Sequence, residues 1–140
     1  MPRVNVHLRN VPGTEAAMGW AGSHSLVADR PIGKAGGLGL GFNGAELLAL
    51  AIGGCFCNDL RYVAERRGVG IDEIEIEVTL VLDGEPIVAT AAEMVVFCTT
   101  SDGTDAATLV DKARSSCMVS NSISKGLPVS VSLTARSKNT

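Results

Sequence analysis

The sequence predicts an α+β fold in which short strands surround one long helix. Two observations predict it: segments of alternating apolar and polar residues occur in runs, and one long apolar stretch with helix-capping residues separates them. The predicted element order is β-β-β-α-β-β-α-α-β. With 140 residues, 46% of them hydrophobic and 19% charged, the chain has the size and composition of one globular domain, residues 1–140.

The N-terminal third is predicted to hold three short strands and a long loop. The strands are Arg3–Arg9, whose apolar residues alternate with polar ones, Met18–Trp20 and Ser25–Ala28. The stretch Asp29–Gly44 contains six glycines and Pro31, which is too glycine-rich for a helix or a central strand. A loop of this length in a compact domain is often functional.

The strongest local signal is the helix that follows this loop. Asn43 and Glu46 have the spacing of a capping box, and the predicted helix runs over residues 44–67. Its first half is apolar on all sides, which is typical of a helix buried on every side. Because one sheet covers only one side of a helix, we predict an obligate homodimer whose second subunit covers the other.

The second half of the chain alternates between strands and helices. Residues 73–80 and 92–100 are predicted strands, and residues 105–116 form a predicted helix. A short helical piece is expected over residues 117–125. The segment Leu127–Ala135 alternates again and is the predicted last strand.

Charge and targeting signals exclude several classes of function. The net charge of −3 argues against nucleic acid as the main partner. The longest apolar run, Leu47–Cys57, is shorter than the ~20 residues of a membrane span. The N-terminal residues lack the pattern of a signal peptide, so we expect a cytoplasmic protein whose thiols stay reduced.

The four cysteines are therefore packing residues, metal ligands or reactive thiols. Cys57 lies two residues after Cys55 and is expected on the opposite helix face. We interpret Cys57 and Cys98 as packing residues. The Cys55-x-Cys57 spacing does not match a zinc knuckle and no second cysteine pair follows, so no metal is expected.

Two segments resemble motifs of the OsmC/Ohr family of thiol peroxidases. The segment GAELLALAIGGC, residues 44–55, resembles the central-helix motif of the family, and ARSSCMVSN, residues 113–121, resembles the second cysteine motif. The glycine-rich loop before the helix also fits the family. The resemblance covers roughly residues 18–133.

This resemblance implies an intertwined homodimer with a long central helix wrapped by mostly antiparallel sheets and an active site at the interface. It implies that Cys55 is the peroxidatic thiol and Cys117 the resolving thiol. The implied substrate is an organic hydroperoxide, and possible use of hydrogen peroxide is left open. An external dithiol is the implied reductant, and the implied role is defence against oxidative stress, with no cofactor.

The sequence departs from the family at several positions. Ala45 stands where the family carries a glutamate that orients an arginine, and Glu46, the next residue, is either that orienting group or only a capping residue. Arg30 is the best candidate for the arginine, with a solvated loop charge as the equal alternative. Two other functions stay open: a non-redox dimeric small-molecule binding protein, and a structural protein without a pocket.

Overall fold

The computed structural model describes residues 1–135 and confirms the α+β class. One antiparallel sheet and two shorter helices pack on a long helix, and the three N-terminal strands form a second antiparallel sheet. In chain order the elements are β1 (His7–Asn10), β2 (Ala17–Ala21), β3 (His24–Ala28), α1 (Gly44–Arg66), β4 (Ile71–Asp83), β5 (Val88–Thr100), α2 (Ala106–Ser116) and α3 (Met118–Lys125). The first eight predicted elements are therefore present, although β1 begins at His7 rather than at Arg3.

The first sheet has the order β1-β2-β3, and the second is the long β4–β5 hairpin. In β4, the strict alternation of glutamate with isoleucine places Ile74 and Ile76 against the core. Ile74 lies opposite Cys98 and Ile76 opposite Val96 in the antiparallel register. The hairpin thereby offers α1 one apolar face.

Helix α1 begins where the capping residues predict. The amide of Glu46 donates to the side chain of Asn43 at 2.9 Å, and the Glu46 carboxylate accepts from the Asn43 amide at 2.9 Å. This reciprocal pair satisfies two amides that the first turn would leave without partners. At the other end, Gly68 takes a φ of 66°, a left-handed conformation that terminates the helix.

The core lies between α1 and the helices that follow β5. Leu60 of α1 and Leu109 of α2 are fully buried and pack in the same cluster. The complete cluster of buried residues is Phe56, Leu60, Val63, Ala64, Leu109, Ala113 and Cys117. This packing fixes the α2–α3 junction against the second half of α1.

The glycine-rich loop is held by one buried carboxylate. Asp29 accepts hydrogen bonds from the backbone amides of Arg30, Leu38 and Leu40, at 2.7, 3.1 and 3.0 Å. These donors hold the pKa of Asp29 below its usual value, against the opposing effect of burial. The loop thus reaches α1 along a defined path.

The prediction of a last strand over Leu127–Ala135 is wrong for this chain. These residues do not form a strand, and Leu127, Val129, Val131 and Leu133 are 69–100% exposed. The alternation suits a strand, but a strand also requires a neighbouring strand edge, and the chain after Gly126 does not form a strand along any of the edges in residues 1–135.

The first half of α1 is not buried on every side by its own chain. Leu50 is 52% exposed, whereas Ile52, Gly53 and Phe56 are buried. By length and composition alone, α1 would also qualify as a membrane span, a test that core helices of soluble proteins pass as well. The apolar surface that this helix exposes is thus the unexplained feature of the fold.

Candidate active site

The structure brings Cys55 and Cys117 together although 62 positions separate them in the chain. Cys55 lies in the middle of α1, and Cys117 lies between α2 and α3, where it ends one helix and begins the next. The two sulfurs and a carboxylate oxygen of Asp59 all lie within 4.8 Å of one another. Cys117 is completely buried and Cys55 is half-buried, so Cys55 is the more accessible of the two thiols.

Asp59 is a site residue that the sequence analysis missed. The Cys55 thiol donates to its Oδ2 at 3.7 Å. The signal was present in the sequence, because residues four apart in a helix lie on the same face. It was not distinctive, since an acidic residue on the amphipathic half of a helix is usually only solvated.

The electrostatics of the pocket favour a protonated Cys55. Burial is the largest effect and raises the pKa of the Cys55 thiol. The backbone amide of Val119, near the N-terminus of α3, opposes it by hydrogen bonding to the sulfur. The neighbouring thiol of Cys117 and the carboxylate of Asp59 raise the pKa further, so the net shift is upward.

The structure does not bring Arg30 or Glu46 to the paired thiols. The Arg30 guanidinium donates to the carbonyl of Glu15 and lies 3.3 Å from the Asp29 carboxylate. Glu46 is occupied by its capping box at the start of α1. Neither side chain forms a hydrogen bond or ion pair with Cys55 in the part of the chain described, and their catalytic roles stay predictions.

Cys57 lies on a different side of α1, as its spacing from Cys55 predicts. It lines a cavity of about 450 Å³ between the first half of α1 and β4, together with Phe42, Glu46, Ala49, Leu50, Gly53, Gly54, Ile76 and Val78. Cys55 does not line this cavity. The two thiols therefore face separate environments.

The two mid-helix glycines have different surroundings. A Cβ on Gly53 would lie 3.0 Å from Cγ2 of Val78, so this glycine permits close packing of α1 on β4. A Cβ on Gly54 would meet nothing within 4 Å. A neighbouring element therefore approaches α1 closely at the first glycine and, within residues 1–135, not at the second.

Cys98 stands apart from the paired thiols on β5, where it is half-buried opposite Ile74. Burial raises the pKa of its thiol, and the charge of Arg61 opposes the shift. This environment is consistent with the packing role predicted for Cys98.

A long helix against antiparallel strands, with two thiols facing each other in a half-buried pocket, defines a small α+β thiol protein. The sequence profile described as OsmC-like protein matches residues 36–132, more than half of the chain. The chain therefore belongs to the OsmC-like family. No protein with a curated description matches it.

Solved structures with the same fold come from several bacteria. An OsmC-like protein of Vibrio cholerae superposes with a TM-score of 0.73 at 11% identity, covering 86% of this chain and 93% of the other. An OsmC-like protein of Mycoplasma pneumoniae gives 0.72 at 13% identity, with 88% of each chain covered. The organic hydroperoxide resistance protein OhrB of Bacillus subtilis gives 0.56 at 26% identity, covering 85% and 88%.

Proposed function

We propose that the protein is a thiol-dependent peroxidase that reduces organic hydroperoxides through Cys55 and Cys117. The observation that supports it best is the approach of the two sulfurs to within 4.8 Å across the core. Burial of Cys117 at the α2–α3 junction keeps this approach in place. The likeness to OhrB of Bacillus subtilis, described as an organic hydroperoxide resistance protein, supports the same substrate class.

The first chemical step oxidises Cys55. Its sulfur, as the thiolate, attacks the terminal oxygen of the hydroperoxide, and the O–O bond breaks. The sulfur gains the OH group as a sulfenic acid, and the remaining alkoxide takes a proton and leaves as an alcohol. The Val119 amide, which hydrogen bonds to the sulfur, stabilises the anionic form in this step.

The second step joins the two cysteines. The Cys117 sulfur attacks the sulfenic sulfur, a disulfide forms, and water leaves with the thiol proton. An external dithiol then reduces the disulfide by exchange and restores both thiols. A disulfide needs an S–S distance of about 2.0 Å, so the sulfurs must approach further by side-chain rotation or a small shift of the junction.

We infer that the protein acts in the cytoplasm as a homodimer. The chain exposes 10524 Å², whereas a folded monomer of 14.5 kDa exposes about 6,900 Å². The excess includes the exposed apolar positions on the first half of α1, Phe97 on β5, which is 51% exposed, and the alternating segment after α3. Light scattering of the purified protein should give twice the chain mass, and a monodisperse monomer would contradict the dimer.

Two serine variants on the same helix test the peroxidase proposal. With cumene hydroperoxide and excess dithiol, Cys55→Ser should lose at least about 100-fold in rate, because its hydroxyl is not ionised at neutral pH. Cys57→Ser is the matched control, because Cys57 lines the cavity on the other side of α1. It should stay within twofold of wild type, and a wild-type rate in Cys55→Ser would refute the proposal.

The environment of Cys55 favours one second candidate, a non-redox binding protein. An acidic neighbour and a raised pKa are unfavourable for a thiolate, and the cavity beside Cys57 has room for a small apolar ligand. In that case both variants would consume cumene hydroperoxide at the same low rate as the wild type.

A further inference from the structure

Asp59 is the residue of the pocket that peroxide chemistry does not use. A carboxylate beside a nucleophilic thiol repels the thiolate on which the reaction depends. The arrangement is favourable instead if the three groups are metal ligands, because two thiolates and one carboxylate would then share one cation. Cys55, Asp59 and Cys117 are the three ligating side chains that come together here.

The distances suit a tetrahedral metal ion. Zinc bonds of ~2.3 Å to sulfur and ~2.0 Å to oxygen give tetrahedron edges of about 3.8 Å between two sulfurs and about 3.5 Å between sulfur and oxygen. The Cys55 sulfur and the Asp59 oxygen are already 3.7 Å apart. All three ligand atoms lie within 4.8 Å of one another, so closure requires shifts of about 1 Å or less.

The fold supports this geometry from both sides. Cys55 and Asp59 share one face of α1 through their four-residue spacing. Cys117 is fixed by complete burial between α2 and α3. Because Cys55 and Asp59 are only half-buried, water or another ligand from solvent can reach them and supply a fourth ligand.

We propose that Cys55, Asp59 and Cys117 form a three-ligand site for a thiophilic divalent cation of the Zn²⁺ class. Two thiolates select such a cation over Mg²⁺ or Ca²⁺, which prefer oxygen ligands. On binding, each thiol releases its proton to solvent, and the three negative charges are neutralised in part by the cation. The site needs only reduced thiols, so it does not depend on the peroxidase activity.

The test uses Co²⁺ and Zn²⁺ with the reduced full-length protein and no peroxide. One Co²⁺ per chain should bind and show the thiolate-to-cobalt charge-transfer absorption, and Zn²⁺ should displace it. Cys55→Ser and Cys117→Ser should lose that absorption, and Asp59→Asn should bind at least about tenfold more weakly. Cys57→Ser, which changes the other face of α1, should bind as wild type. Absence of the charge-transfer absorption, or its persistence in Cys55→Ser, would overturn the proposal.

A second measurement on the wild type protects the test against variants that fail to fold. Zn²⁺ should slow alkylation of Cys55 at least tenfold and leave alkylation of Cys57 unchanged, as read by peptide mass spectrometry. Equal alkylation of Cys55 with and without Zn²⁺ would count against the site. Peroxidase assays with a chelator present separate the two proposals. Metal binding without turnover of hydroperoxide would support the metal site and contradict the peroxidase activity.

Discussion

Two sides of helix α1 carry one cysteine each, and the two thiols lie in different surroundings. Cys55 faces a second thiol, a carboxylate and a backbone amide at the start of α3. Cys57, two residues later, lines a largely apolar cavity toward β4. The difference shows that the surroundings of these two thiols are set by segments distant in the chain, since only one residue separates the cysteines on the helix.

The largest expected effect comes from removing the second thiol on the Cys55 side. In Cys117→Ser the sulfenic acid at Cys55 has no resolving thiol, so without added dithiol one equivalent of hydroperoxide should give the sulfenic acid in place of the disulfide, and excess oxidant should convert Cys55 to the sulfinic acid. Intact-mass spectrometry after stepwise addition of cumene hydroperoxide reads both outcomes. Cys98→Ser, on β5, is the control and should form the disulfide as the wild type does; a Cys55 in Cys117→Ser that resists excess hydroperoxide as the wild-type disulfide does would contradict the pairing.

The next largest expected effect is on the peroxidase rate, when the negative charge beside Cys55 is removed. Asp59→Asn removes a carboxylate that raises the pKa of Cys55, so the thiolate fraction at neutral pH should grow, by about tenfold for each unit of pKa. The peroxidase rate measured with a chelator should rise, and its increase with pH should begin at lower pH. Asp111→Asn, an exposed carboxylate on α2, is the matched control. A slower Asp59→Asn at every pH would show instead that the carboxylate assists the reaction.

The smallest expected effect is a difference in stability between alanine variants at the two mid-helix glycines. Gly53→Ala and Gly54→Ala gain the same helix propensity, ~1 kcal/mol. Only Gly53→Ala places a methyl group 3.0 Å from Val78, and such overpacking costs about 1–3 kcal/mol. Chemical unfolding should therefore find Gly53→Ala the less stable variant. The reverse order would indicate that a second subunit packs on Gly54.

Much of the fold is encoded locally and was predictable. The capping pair Asn43 and Glu46 set the start of α1, and the glutamate–isoleucine alternation defined β4. The segment after Gly126 was not predictable in the same way, because its alternation reports a strand but not the neighbour that the strand requires.

The candidate site, like the fold, was predictable from the sequence only in part. The motif resemblance identified Cys55 and Cys117, and the core packing of α2 on α1 explains why they meet. The spacing of Cys55 and Cys57 concerns only neighbouring positions. It therefore gives no information about a cluster that Cys117 completes. Arg30 is a candidate that does not reach the paired thiols. Its loop position suggested an activating cation, but its contacts are with Glu15 and Asp29.

The central claim is that the sulfurs of Cys55 and Cys117 react with each other when hydroperoxide is present. The most direct measurement is peptide mass spectrometry of the wild-type protein after one equivalent of cumene hydroperoxide, with free thiols blocked before digestion. The account predicts one intramolecular link between the peptides of Cys55 and Cys117, with Cys57 and Cys98 blocked as free thiols. Four blocked thiols, or a link from Cys55 to any other cysteine, would contradict it.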